Sequence, residues 1–262
     1  MDEKRLSLTE HLTELRSRLV KCVIAVGIGF LISYYFSERI FNYLMIPLVK
    51  ALPEGSTMVY TGLPEAFFTY MKTAFLSGFF LAVPMILYQL WMFVAPGLYP
   101  KERRMAFPFV LCSSLFFIGG ALFGYFIVFP FGFRFFLSYA TDLIKPLPSV
   151  KEYLSFSAKM LLAFGMIFEL PVLTFFLAKI GLVTHKFMAR NRRYAILIVF
   201  ALAAILTPPD VISQMMMGLP LLILYELSIW VAWAIEPKPK EEKEKGIVRK
   251  SSRKTKQEEP AG

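Results

Sequence analysis

Histidine and cysteine are almost absent from this sequence, two of each, and aspartate is nearly as rare. Cys22 and Cys112 both lie inside apolar runs, which excludes a disulfide framework and leaves too few thiols for a zinc site. His11 and His185 fall in polar segments, and Asp2, Asp142 and Asp210 all fall outside the apolar runs. Intramembrane proteolysis needs a Ser–His pair, two membrane-embedded aspartates or H-E-x-x-H, and none of these can be assembled. G-x-S-x-G, the P-loop and G-x-G-x-x-G are missing too. The expectation is a protein that is not an enzyme and holds no metal or cofactor. A cleavable leader is also missing: acidic residues interrupt the first 21 positions and no A-x-A site follows the first apolar run, so that run reads as a retained anchor.

What the chain has is apolar length. Apolar residues make up 56% of it, and mean hydropathy is +0.57. They gather in runs near the roughly 20 residues of helix that cross a hydrocarbon core. An amphipathic helix is expected over 7–18, with Ser7 and Glu10 as a capping box and Leu8, Leu12, Leu15 and Leu19 on one face. Six spans follow: Leu19–Phe36, Thr73–Val94, Met105–Phe129, Tyr153–Ala178, Tyr194–Thr207 and Val211–Ala234. Loops are expected over 37–72 and 130–152, a polar turn over 95–104, a basic stretch over 179–193 and a turn at Pro208-Pro209-Asp210. The domain reading is a cytoplasmic segment 1–18, a membrane domain 19–235 and a disordered basic tail 236–262. Span five has 14 residues, about 21 Å of helix against roughly 30 Å of hydrocarbon. Either it extends into the flank at Arg192–Arg193, or the bilayer thins beside it.

The net charge is +10, and its distribution decides its meaning. One side of the alternating loops carries 22 Lys and Arg, against 6 on the other. Positive-inside then puts both termini in the cytoplasm of a multi-pass inner-membrane protein. Topology accounts for the basic residues, so no nucleic-acid partner is expected; the Lys/Glu-alternating tail reads as solvated.

Polar residues inside the runs are the functional candidates. Glu169, within span four, is costly in lipid and serves either to tie helices together or to dock a membrane helix or transported chain. Gln89, near the end of span two, can face Glu169. Glu226 and Lys159 can snorkel. On the cytoplasmic side Glu14 and Glu102 each sit among basic residues. Ordinary surface pairing, Glu14 with Arg18 at i,i+4, is one reading. Two carboxylates on rigid helix ends of one membrane face, each taking a bidentate guanidinium, are the other.

The longer motifs are His11-Leu-Thr-Glu-Leu-Arg16, Tyr88-Gln-Leu-Trp91, Phe93-Val-Ala-Pro-Gly-Leu-Tyr-Pro-Lys-Glu-Arg-Arg104, Tyr153-Leu-Ser-Phe156, Ala163-Phe-Gly165 with Phe168-Glu-Leu-Pro171, and Leu206-Thr-Pro-Pro-Asp-Val-Ile-Ser-Gln214. In this order on six spans, from His11 to about Trp230, the sequence resembles the TatC family, the multi-spanning core of the twin-arginine protein translocase. The resemblance implies an all-α, concave six-helix scaffold that binds twin-arginine signal peptides through Glu14 and Glu102, with Phe93 and Arg16 beside them. It implies single-span TatB-type and TatA-type partners, self-association within a larger complex, and export of folded cargo driven by the proton-motive force. It matches Glu169 and Gln89 to intramembrane polar positions, Thr207 and Gln214 to partner docking, Pro47 to an outer-loop proline and Asp210 to the aspartate of the Pro-Pro-Asp turn. A secondary transporter for small solutes, or a membrane insertase, stays open as an alternative. No internal repeat of the kind many transporters show is visible between residues 19–129 and 153–234.

Overall fold

A computed structural model describes residues 8–53, 56–60, 62–94, 106–141, 145–207 and 210–236. Among these the regular structure is helical, apart from one parallel bridge between Val59 and Ser149. Ten helices follow one another: α1 Leu8–Tyr35, α2 Ser37–Val49, α3 Glu65–Val94, α4 Ala106–Phe123, α5 Phe129–Leu137, α6 Val150–Phe168, α7 Leu170–Lys179, α8 His185–Arg190, α9 Arg192–Leu206 and α10 Val211–Ile235. A π-turn, Gly124–Val128, joins α4 to α5.

Four runs are long and apolar enough to cross a membrane: Glu65–Phe93, Phe107–Leu137, Val150–Lys179 and Val211–Ile235. The α1–α2 pair passes the same test together, bent by 83° at its break. α9 has 15 residues, about 22 Å, and begins at Arg192, so the short fifth run does extend into its basic flank. Large apolar side chains such as Leu31, Leu197 and Ile205 are exposed all around the molecule, as suits a protein solvated by lipid. It is a multi-pass, all-α membrane protein.

Several expected boundaries differ. The amphipathic segment and the first run are one unbroken helix, α1, because no proline or cap separates them; Ser7 of the expected capping box lies outside the described residues. The expected loop 37–72 contains α2 and the first turns of α3, and the loop 130–152 contains α5 and the start of α6. The basic stretch 179–193 contains α8, capped by Thr184, whose Oγ1 accepts from Phe187 N–H at 3.2 Å. The first two of these expected loops contain prolines, Pro47 and Pro130, whereas the basic stretch contains none. Pro130 sits in the first turn of α5, where its missing N–H is no loss, while Pro47 and Pro84 are inside helices.

Pro47 shows how such a proline is accommodated. It cannot donate to the carbonyl four residues back, that of Tyr43. The Tyr125 hydroxyl, from the π-turn, donates to that carbonyl instead, and the Tyr153 hydroxyl of α6 donates to the next one, Leu44 O. Two phenols therefore bind α2 to the rest of the bundle at the place where its own ladder is interrupted. Nearby, Glu65 accepts from Lys151 N–H at 3.1 Å and Ser149 Oγ at 3.3 Å. Its carboxylate caps the positive end of α6 from another helix. The bridge is held by Val59 N–H to Pro148 O and Val150 N–H to Val59 O, both 3.1 Å.

Helices in lipid gain little from apolarity alone and depend on close packing of small residues. α1 and α3 meet at Gly29 and Gly78. A Cβ on Gly29 would lie 2.4 Å from Gly78 O, and one on Gly78 would lie 2.4 Å from Phe30 N. Gly120 and Gly165 do the same for α4 and α6, against Phe164 O at 2.4 Å and the Phe117 ring at 2.8 Å. The main core gathers around Phe129, Leu154, Phe164, Met217 and Leu221.

Two outcomes are expected. Gly78→Val should lower stability by about 1–3 kcal/mol through overpacking, whereas Gly27→Ala, with nothing within 4 Å of the new methyl, should be neutral; unfolding in mixed micelles reads both, and equal effects would contradict the crossing. Tyr125→Phe should cost about 1 kcal/mol, and less when Pro47→Ala restores an N–H to Tyr43 O. Additivity in that double-mutant cycle would show that the phenol does not replace the missing donor.

Candidate functional site

The candidate site is built where the amino-terminal turns of α1 meet the end of α3. The glycine crossing keeps the two helices in contact, and their polar residues come together beyond it. Arg18 donates from Nε to Glu14 Oε1 at 3.0 Å and also from Nη2 to the same oxygen. Its other terminal nitrogen reaches Gln89 Oε1 at 3.5 Å, the outer limit of a hydrogen bond. One turn back, His11 stacks on Phe93 with centroids 4.5 Å apart and planes 21° from parallel. Glu14, Arg18, Gln89 and Phe93 therefore form one constellation. The i,i+4 pairing of Glu14 with Arg18 is present as the spacing suggested.

Gln89 does not face Glu169. It is buried against Arg18 and Met85, which draws the amide toward α1 and away from α6. Arg16 is exposed and has no hydrogen bond or ion pair with a described residue; at two residues from Glu14 it lies on another side of the helix. Glu102 lies outside the described residues, as does the rest of the 95–105 segment.

Glu169 sits at the joint of α6 and α7, inside the single apolar run Val150–Lys179 that matches the expected fourth span. The carboxyl is buried, with Ser113 of α4 beside it. Neither Glu169 Oε1 nor Ser113 Oγ has a hydrogen-bond partner among the described residues. An unmet acceptor in lipid is costly, which marks the position as one that a further donor would stabilise. Glu226 is half exposed and pairs with Arg192 at 2.8 Å, consistent with a carboxylate reaching the interface.

At the opposite end, Thr207 closes α9 with its hydroxyl donating to Ala203 O at 2.8 Å, and Gln214 lies half-buried in the first turn of α10. Asp210 caps α10, accepting from Ser213 N–H at 2.7 Å and from the Ser213 hydroxyl. Those donors hold its carboxyl below the usual carboxylate range. Pro47 lies inside α2 and not in a loop. No cluster of three metal-ligating side chains occurs among the described residues.

A groove of about 1280 Å³ runs from this constellation between α1, α3 and α6. Its walls are apolar, its one end holds Arg18, Gln89 and Phe93, and its other end holds Lys72 and Lys159. An extended apolar segment fits such a channel, with a charged flank at the Glu14 end.

The family model for Sec-independent protein translocase protein (TatC) matches residues 10–220. The chain belongs to the TatC family. TatC of Desulforapulum autotrophicum is 57% identical over 228 residues, covering 87% of this chain and 84% of that one. TatC of Magnetococcus marinus is 45% identical over 241 residues, 92% of this chain and 89% of its own. TatC of Escherichia coli is 40% identical over 223 residues, 85% and 86%. A crystal structure of the twin arginine translocase receptor TatC superposes with a TM-score of 0.78 at 41% identity, covering 86% of this chain and 99% of that one. Every element from α1 to α9 thus lies within the part shared with TatC proteins.

The Asp210 cap of α10 predicts an acid sensitivity. A depressed folded-state pKa means that the Asp210 contribution is complete above the ordinary carboxylate value and fades as pH falls through the lower folded value. Asp210→Ala should lower the thermal midpoint at neutral pH and flatten its fall below about pH 4. A midpoint equal to the parent's at pH 7, or an unaltered acid limb, would contradict the cap.

Proposed function

We propose that this chain is the receptor and core component of a twin-arginine translocase: it binds the paired arginines of signal peptides on its cytoplasmic face, and folded cargo then crosses the membrane at the expense of the proton-motive force. One observation carries the reading. Glu14, at the mouth of the groove, already holds a guanidinium, that of Arg18, through two nitrogens of its planar fork. A carboxylate placed to take Arg18 in this way is placed to take an arginine from outside, and a planar fork meets it better than an ammonium does. Arg18 holds the carboxylate in position until the signal displaces it and Glu102 takes the second arginine. Phe93 and Arg16 flank the binding end. The apolar stretch of the signal then lies along the groove.

Thr207 and Gln214 dock single-span TatB-type and TatA-type partners, and copies of the chain associate within the larger complex. Six spans, with α9 as the short fifth, and both termini in the cytoplasm complete the topology; the excess of Lys and Arg on one side supports that orientation. The chain works in the bacterial inner membrane as a transport component and not as an enzyme. The similar proteins are Sec-independent protein translocase proteins TatC, which supports this function over a small-solute transporter or an insertase.

The test is equilibrium binding of a fluorescent signal peptide to the protein in nanodiscs, comparing Arg-Arg with Lys-Lys. The Arg-Arg form should bind at least about tenfold tighter, the difference of one charge-assisted hydrogen bond. Glu14→Gln with Glu102→Gln should abolish that preference while leaving thermal unfolding unchanged. Equal binding of the two peptides to the parent would move selectivity elsewhere in the complex.

A further inference from the structure

Lys159, inside the fourth apolar run, has no task in the proposed function. It stands nine residues into α6, about 14 Å along the axis, and it is exposed. Lys72 stands seven residues into α3, about 10 Å along, and is exposed too. Both line the same groove, at the end away from Glu14. Neither has a hydrogen bond or ion pair with a described residue, whereas Arg192 and Arg18 both hold carboxylates. The charged groups lining the groove are Arg18, Lys72 and Lys159, all positive, with no carboxylate among them. Two ammonium groups about two turns below the end of their helices, facing an apolar channel, are costly unless an anion joins them.

The geometry points to a binding site for an anionic phospholipid, its phosphate between Lys72 and Lys159 and one acyl chain lying along the groove wall. The wall beyond the lysines is Val26, Phe30, Phe75 and Phe79, the composition an acyl chain would meet. Charge complementarity selects the headgroup, since long lysine stems reach an interfacial phosphate while covering apolar surface. Under the proposed topology the lipid belongs to the outer leaflet; the site itself does not depend on that orientation or on signal binding. Because the groove is shared, the lipid occupies the end opposite the arginine site. A signal that runs its full length has to displace the acyl chain.

Native mass spectrometry of the full chain, released from detergent with phosphatidylglycerol or phosphatidylcholine, tests the site. The parent should retain one phosphatidylglycerol in preference to phosphatidylcholine. Lys72→Gln with Lys159→Gln should weaken that retention about thirtyfold, the loss expected for two lysine–headgroup contacts. Lys151→Gln, an exposed lysine outside the groove lining, should change nothing. Lys72→Arg with Lys159→Arg keeps the charge and should retain the lipid, which separates lost binding from lost folding. Phe75→Trp reports the chain: phosphatidylglycerol brominated on its acyl chain should quench the added fluorescence. Parental retention in the double Gln variant, equal retention of both lipids by the parent, or no quenching at position 75 would each overturn the proposal. So would loss of single-span partner assembly in the double Gln variant with unchanged lipid retention, which would assign the lysines to a carboxylate of a partner helix. The Arg-Arg preference of the signal peptide is measured separately, so failure here leaves the receptor reading standing.

Discussion

The close crossing of α1 and α3 is the contact on which the rest of this molecule depends. Gly29 and Gly78 bring the two backbones within the space a single methyl would need. The Glu14 constellation and one side of the groove lie along that pair. Toward one end the approach sets Arg18 against Glu14 and Gln89 and lays His11 on Phe93. Toward the other, α6 packs beside them and the three helices enclose the groove. In lipid the crossing cannot be replaced by a merely apolar contact, because the surrounding acyl chains are as apolar as leucine. Depth of approach does what the hydrophobic effect does in water.

The same solvent dictates where polar groups go. A backbone carbonyl released by proline has no water to turn to in the bilayer. Tyr125 answers Pro47, and Glu65 answers the open end of α6. Ser114, Thr207 and Ser228 return their hydroxyls to the carbonyls four residues back on their own helices, at 2.7–2.8 Å. Other buried polar atoms have no partner among the described residues: the Ser33, Thr73, Ser113 and Ser157 hydroxyls, the Trp91 ring N–H and Glu169 Oε1. Of these only Glu169 is ionisable, and it sits at the joint of α6 and α7. A carboxyl is the costliest of them to leave unmatched in lipid.

Much of this was readable from the sequence. The apolar runs located the four long helices Glu65–Phe93, Phe107–Leu137, Val150–Lys179 and Val211–Ile235, the first two of which run well past the expected bounds into the expected loops. Two of the expected loops hold prolines, Pro47 and Pro130, that the fold accommodates within helices; the third, 179–193, was read from its charge, and a short helix capped by Thr184 forms there. The Glu14–Arg18 pair was legible as an i,i+4 spacing, and so was the role of Asp210 as a turn residue before an apolar run. Gln89 illustrates the limit. Its sequence position gave a depth in the membrane but no azimuth relative to other helices, so its real partner, Arg18, 71 positions away, could not be read off.

Composition and order alone determined that the chain is a membrane protein of long helices and that it resembles the TatC family. Those conclusions rest on quantities that are local along the chain: hydropathy, charge counts and contiguous motifs. Tertiary structure decided which glycine meets which, that a phenol from one helix repairs a proline in another, and that Lys72 and Lys159 share one channel with Arg18. Each of these depends on the rotation and crossing of helices far apart in sequence. In a bilayer, side-chain shape at the contact fixes those angles, and hydropathy carries no record of it.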